Sequence, residues 1–336
     1  MDVKDIQIQK ALGTFKPNIY LSNLAITYFE EPTYAHRRVF PICPVDLPSG
    51  KYYEFSREDL ARDNLHRKPP YGTVEPAVFG ISEKSYSCQV YQIVIGLDKI
   101  MTLPYQRTNA AIDPRRMRVR TIAEQIAHSQ EIKFAEGFFK SGVWTNEWTG
   151  AASADSANKK FKKFDNSDVD PVIFFDERIT DIRRMGRRKP NKLALGVETF
   201  NALKNNQFIL DRIKYSGTTQ NPAVVNENVL AQIFGVDQVI VLDATYNSAE
   251  FGAPEEMKYV CDSKGALLLY TPDTPQIDEP SAAYSFTWNL ETGNYIAVST
   301  YDGAPGTHTE LVEGIIAYDN QITGQDLAVY LNDCCG

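Results

Sequence analysis

Residues 170–215 constrain the fold of this chain most, because they predict a helix, a tight link, a short buried strand and a second helix in direct succession. Asp170 is a favourable N-cap, and Pro171 suits the first helical turn, where its missing N–H costs no hydrogen bond. Apolar residues recur at helical spacing up to Gly186, which offers a left-handed C-terminal stop. The apolar run 193–196 then predicts a buried strand. This order of elements is typical of an α/β unit.

Two segments of this stretch, PNKLALGVETFNALKNN and ILDRIKYSG, resemble the part of tailed-bacteriophage major capsid proteins that enters the apical domain in the Hong Kong 97-type fold. An ordinary α/β unit of an enzyme also fits the stretch. The resemblance implies an α+β protein with an N-terminal arm, an extended β-hairpin loop, a peripheral domain with a long spine helix, an inserted apical domain and C-terminal return strands of the peripheral domain. These five parts correspond here to residues 1–44, 45–100, 101–190, 191–293 and 294–336.

A hairpin is predicted in the expected loop, because residues 51–56 and 85–96 are rich in Tyr, Val and Ile and flank a polar, Pro-rich segment, 64–76. Tyr86, Cys88 and Val90 are expected to form its buried side. So long a loop is unusual in a compact monomer, and the resemblance implies that it reaches over a neighbouring subunit. The residues expected at that inter-subunit contact are Arg62, Asn64, His66, Arg67, Lys68 and Tyr71.

The longest predicted helix, the expected spine, covers residues 113–141, and at about 1.5 Å per residue it would be roughly 40 Å long. Four arginines crowd its start, where the helix dipole disfavours positive charge: Arg115, Arg116, Arg118 and Arg120. Two interpretations stay open. These side chains are solvated and offset by nearby acids, or they contact a neighbouring subunit or the phosphates of enclosed DNA without sequence preference.

Charge is distributed unevenly along the chain. Residues 1–190 have a net charge of +5, whereas residues 191–336 have a net charge of −13, within a total of −8. One explanation is that the imbalance between the two parts of the sequence has no structural meaning, since domains interleave in space. The other is that complementary faces meet between identical copies or line opposite sides of a shell.

Several further segments carry specific expectations. Residues 153–168 are predicted to be a flexible surface connection, and 258–261 with 266–270 are predicted to form a hairpin around DSKG. The adjacent Cys334 and Cys335 are expected to be free thiols on a loose tail, because the five cysteines are scattered without metal-ligand spacing. The chain has no apolar run of about 18 residues and no signal-like start, so we expect no membrane contact.

No motif of catalysis is present. The four histidines are never within four residues of one another, and no phosphate-binding loop or nucleophile elbow occurs. His128 and Glu131 are expected to form a surface hydrogen bond, and the acidic residues at 176, 177 and 181 to complement a helix dipole. We therefore predict no catalytic residue, no metal and no cofactor.

Together these observations predict a major capsid protein that self-assembles into the icosahedral head shell around packaged double-stranded DNA. The expected partners are further copies in hexamers and pentamers, a separate scaffolding protein, a portal and a decoration protein. The expected location is the virion, after assembly in the cytoplasm of a bacterial host. An encapsulin-like compartment that encloses protein cargo is the main alternative, and a soluble α/β enzyme is the third.

Overall fold

A computed structural model describes residues 21–22, 24–25, 34–55, 63, 65, 67–68, 70–72, 81–100, 114–214, 225–250, 252–275, 279–290 and 295–336. The helices of this described part are α1 (His36–Val39), α2 (Pro114–Gly137), α3 (Pro171–Gly186), α4 (Val197–Asn205), α5 (Gln207–Lys214) and α6 (Glu227–Phe234). Its strands are β1 (Ile42–Val45), β2 (Ser49–Phe55), β3 (Ile81–Ser87), β4 (Gln89–Asp98), β5 (Glu147–Ala151), β6 (Lys160–Lys162), β7 (Lys192–Gly196), β8 (Gln238–Leu242), β9 (Thr245–Asn247), β10 (Met257–Tyr259), β11 (Ala266–Leu269), β12 (Ala283–Trp288), β13 (Ile296–Asp302), β14 (Thr309–Ile322) and β15 (Ala328–Asn332). The prediction of an α+β protein is confirmed.

A five-stranded sheet is built around the long strand β14. β14 pairs antiparallel with β4, β13 and β12, and β1 adds parallel to β12. The strand predicted over 85–96 is therefore two strands that separate at Cys88, because β3 pairs with β2 whereas β4 pairs with β14. Tyr86 and Cys88 are buried as expected, but Val90 is 58% exposed, since it lies beyond this break.

A six-stranded mixed sheet has the order β6-β5-β15-β11-β7-β8. β11 pairs with β15 and β7, and β10 pairs with β9, so the predicted hairpin of 258–261 with 266–270 is wrong. The apolar strand β11 is buried along its whole length and takes a central place in the sheet. The segment 153–168 contains β6 and the buried Phe161 and Phe164, so it is more ordered than a flexible connection.

Strands from different predicted parts of the chain pair with one another. β12 was predicted within 191–293, yet it pairs with β14 of the return strands. β15 was predicted within 294–336, yet it lies between β5 and β11 in the six-stranded sheet. Chain order alone does not determine which strands meet, and the division into five segments stays a prediction.

Helix α2 packs against both sheets. Its first half contributes Ile122 and Ile126 to a core with β13 and β14. Its last turn contributes Phe134, followed by Phe138 and Phe139, to a second core against the six-stranded sheet. The helix ends at Gly137 rather than at the predicted residue 141, because the chain turns there and buries the rings of both Phe138 and Phe139.

Gly314 sets how closely α2 approaches β14. A Cβ atom added at Gly314 would lie 2.3 Å from Cγ2 of Ile122. This distance is far inside van der Waals contact, so the helix and strand can pack this closely only when residue 314 has no side chain.

Helix α3 begins as predicted but ends differently. The Asp170 carboxylate accepts a hydrogen bond from the Val172 N–H at 3.0 Å, with Pro171 at the first helical position. The left-handed residue at its end is Arg187, with φ of 56°, whereas Gly186 is still helical. Gly186 serves close packing instead, because an added Cβ would lie 2.5 Å from Cδ2 of Leu327.

The C-terminal residues pack against the core and do not form a loose tail. Cys334 is fully buried, and Cys335 is 5% exposed. The main-chain N–H of Cys334 donates to the Lys264 carbonyl at 2.8 Å, and its carbonyl accepts from Phe164 at 2.9 Å. These bonds follow directly after β15, which lies within the sheet.

Candidate functional site

The base of the β2–β3 hairpin is fixed to the five-stranded sheet by aromatic packing. The Tyr86 and Tyr52 rings lie 4.8 and 5.4 Å from the Phe286 ring on β12. Gly50 allows this arrangement, since a Cβ there would lie 2.6 Å from the Tyr86 hydroxyl oxygen. The Ser87 N–H also donates to Asp319 at 2.8 Å. The hairpin therefore leaves the sheet from an anchored base.

The described residues beyond this base are exposed. Leu65 is 90% exposed and Tyr71 is fully exposed, with a left-handed φ of 61°. Arg67 and Lys68 are exposed as well. The other predicted contact residues, Arg62, Asn64 and His66, lie outside the described residues. An exposed Leu and Tyr near two cations can bury apolar area against a partner.

The arginine cluster at the start of α2 has acidic neighbours within the chain. Arg115 donates to Glu310 on β14 through Nε at 3.1 Å and Nη2 at 2.9 Å, and Glu310 is largely buried. Arg120 contacts Glu124 one turn later at 2.9 Å. Arg116 and Arg118 are exposed on the same helix. Intramolecular pairing therefore offsets part of the charge, as one of the two interpretations predicted.

A buried polar cluster connects α1 to the middle of α2. Glu131 is completely buried, and its Oε2 lies 2.6 Å from Nδ1 of His36 and 2.9 Å from the His36 main-chain N. Nε2 of His36 lies 3.1 Å from Oε1 of Gln130. The predicted surface bond between His128 and Glu131 is wrong, because Glu131 points into the core and the ring contact of His128 is with Tyr34. No local pattern predicts this pair, because its two residues are 95 positions apart in the chain.

Part of the described N-terminal segment packs along the body of the subunit. Leu21 and Ala25 are buried in the core between α2 and β13. The Ser22 hydroxyl accepts a hydrogen bond from the Val298 N–H of β13 at 2.9 Å. The segment therefore covers both apolar surface and one strand-edge donor.

Burial changes the acidity of several side chains. It raises the pKa of the Cys43 and Cys88 thiols to about 11, which disfavours the thiolate. It lowers the pKa of Lys192 to about 8, and the ammonium group donates to the Arg38 carbonyl at 2.7 Å. Across the described ranges, no group of three or more His, Cys, Asp or Glu residues is arranged to hold a metal ion. No helix in those ranges is long and apolar enough to cross a membrane.

Comparison with known proteins agrees with the fold. No protein-family model matches the chain. A major capsid protein of Burkholderia phage BcepMu is 23% identical over 236 residues, which are 67% of this chain and 68% of that protein. The crystal structure of a phage-related protein from Bordetella bronchiseptica RB50 covers 95% of this chain and 97% of its own length, with 18% identity and a TM-score of 0.72.

A phage shell protein shows the same architecture. The capsid protein of cyanophage P-SCSP1u matches with 9% identity and a TM-score of 0.51, covering 88% of this chain and 86% of its own. Identities this low establish the fold alone, and the match extends over almost the whole chain. The chain therefore has the Hong Kong 97-type capsid fold and resembles the tailed-bacteriophage major capsid proteins.

Proposed function

We propose that this chain is the major capsid protein of a tailed bacteriophage, and that many copies assemble into an icosahedral head shell around double-stranded DNA. The observation that carries the proposal is the agreement in fold over 95% of the chain with a phage-related protein. The sequence similarity to a named major capsid protein supports it independently. The role is structural, and we propose no catalysis.

The hairpin supports assembly. Its base is anchored by the Tyr86 ring on Phe286, whereas Leu65 and Tyr71 expose large apolar side chains to solvent. We propose that residues 62–71, including Arg62, Asn64, His66, Arg67, Lys68 and Tyr71, contact an adjacent subunit. Stable interfaces bury on the order of 1,600 Å². Each hairpin contact would add to the area buried between two subunits, and many such contacts in one shell would strengthen binding through avidity.

The arginines at the start of α2 are proposed to face DNA phosphate or a neighbouring subunit. Arg118 is exposed, whereas Arg115 and Arg120 contact acidic side chains within the chain. We further propose hexamers and pentamers, a scaffolding protein, a portal, a decoration protein and assembly in the host cytoplasm before the protein resides in the virion.

Electron microscopy of the purified protein, expressed with and without its phage scaffold, tests the proposal. We expect hollow particles tens of nanometres across, which is the scale of an icosahedral shell of many such subunits. Particles from infected cells should contain double-stranded DNA. A protein that stays a small oligomer under all these conditions contradicts the proposal, and particles filled with a cargo enzyme would support an encapsulin-like compartment instead.

A further inference from the structure

Helix α3 carries opposite charges at its two ends. Asp176 and Glu177 lie in its first half and Asp181 just beyond its middle, and five exposed cations, Arg183, Arg184, Arg187, Arg188 and Lys189, lie at and just beyond its C-terminal end. Arg184 contacts Asp181 at 3.0 Å where the two regions meet. At about 1.5 Å per residue, the helix rises roughly 15 Å from Asp176 to its end at Gly186. Most of the acidic region is therefore too far from the basic end to be neutralised by it within one subunit.

The acidic half of α3 lines a shallow depression of about 470 Å³, bounded by Ile173, Asp176, Glu177, Arg178, Thr180 and Asp181. Ile173 is 57% exposed at its edge. The depression therefore combines carboxylates with an accessible apolar side chain, a composition that suits a small protein contact.

The floor of this depression is a fixed, incompletely paired guanidinium group. Arg178 is 7% exposed and lies 3.9 Å from the Trp148 ring centre. Its Nη2 contacts Asp181 at 3.1 Å, whereas Nε and Nη1 are buried without a hydrogen-bond partner among the described residues. Buried donors are normally paired, so these two are unusual. Arg178 contacts Glu177 as well as Asp181 and so neutralises part of the acidic cluster, and cations that arrive at the surface of the depression would face the remaining negative charge.

We propose that the acidic depression on α3 binds the basic end of α3, residues 183–189, from a second copy of this chain. Charge complementarity favours this occupant, because the depression has more acidic than basic groups and the basic end is exposed on every copy. Such a head-to-tail contact uses two different patches of one subunit, and it generates a closed ring when the rotation between copies closes. The inference rests on the proposed function and specifies one contact within a capsomer.

Charge-reversal variants with mutual rescue test this contact. One variant carries Asp176→Lys and Glu177→Lys, the second carries Arg187→Glu, Arg188→Glu and Lys189→Glu, and a third carries all five changes. At low salt, each of the first two should need about tenfold more protein to assemble, because like charges then face each other. The third should assemble close to wild type. A control with Glu250→Lys and Glu255→Lys changes the charge by the same amount as the first variant, but on an exposed loop. This control should assemble normally.

Mixing separates a lost contact from a lost fold. In a 1:1 mixture of the two singly reversed proteins, depressions and ends of opposite charge can alternate around a hexamer, so hexamer formation should recover, whereas a pentamer keeps one like-charged contact. Recovery cannot arise from misfolded subunits. Normal assembly of both singly reversed variants, or failure of both hexamer formation in the mixture and assembly of the fivefold variant, overturns the contact. A basic-end variant that assembles normally but loses nucleic acid also overturns it, in favour of a DNA-facing role. If wild-type protein forms no shells, the proposed function fails first.

Discussion

The two ends of α2 are held by different kinds of packing. The C-terminal end fills space with large rings, since Phe134, Phe138 and Phe139 are each 2% exposed against the six-stranded sheet. The N-terminal half instead lies close to β14, where Gly314 leaves room for Ile122. Stability should therefore be sensitive to smaller side chains at the C-terminal end and to larger side chains in the N-terminal half. A single helix thus packs on two sheets through contacts that respond oppositely to a change in side-chain size.

Phe138→Ala, at the C-terminal end of α2, should lower the stability of the protein most. Removing the ring leaves a cavity beside Phe40, whose ring centre is 4.6 Å away. We expect a loss of about 3–5 kcal/mol in the free energy of unfolding, measured by urea denaturation. Phe208→Ala is a matched control, because that ring is 38% exposed. A similar loss in both variants would mean that the C-terminal end of α2 is not specially dependent on its rings.

His36→Ala tests the polar cluster between the two ends. It should lower the free energy of unfolding by about 3 kcal/mol, because Glu131 would remain buried without its ring partner. Adding Glu131→Leu should recover much of this loss, since the unpaired carboxylate is removed. Urea denaturation of the single and double variants measures the coupling. Strictly additive losses would contradict the pairing seen between Nδ1 and Oε2.

Gly314→Ala should destabilise the protein by about 1–3 kcal/mol through overpacking against Ile122. The loss should shrink in an Ile122→Leu background, because leucine lacks the methyl group that the new Cβ would meet. Gly137→Ala is the control at the other end of α2, where an added Cβ meets nothing within 4 Å. That substitution should stabilise the helix by about 0.5–1 kcal/mol, because alanine favours the helical conformation. Thermal unfolding of all three variants gives the sign of each effect.

Arg115→Ala should have the smallest effect, about 1 kcal/mol or less, because the Arg115 side chain is 53% exposed although Glu310 is largely buried. The loss should decrease further in high salt. Arg118→Ala provides an exposed comparison on the same helix. A large, salt-independent loss for Arg115→Ala would show that the start of α2 depends on this ion pair as strongly as its other end depends on its rings.

Local chemistry made several elements predictable from sequence. Asp170 caps α3, with Pro171 at the first helical position as predicted. The apolar run at 193–196 forms the buried strand β7. In both cases the residue types that carry the signal stand within one short stretch of chain.

Contacts between distant residues were not predictable in this way. Buried Glu131 pairs with His36, and Gly186 lies where Leu327 leaves no room for a Cβ atom. The break at Cys88 arises because β4 finds its partner in β14, more than 200 residues later. Sequence reasoning proposed the hairpin and the arginine cluster as candidate contacts, and both stay predictions. It missed the Glu310 partner and the depression on α3, because both depend on tertiary packing.

The hydrogen bond from the Val298 N–H to the Ser22 hydroxyl bears on how the protein avoids non-native aggregation. An open sheet border displays donors and acceptors that invite another chain to stack on as an extra strand. By occupying one of these donors on β13 with a side chain, the amino-terminal segment interrupts that template. Growth by uncontrolled strand addition is thereby hindered at this border.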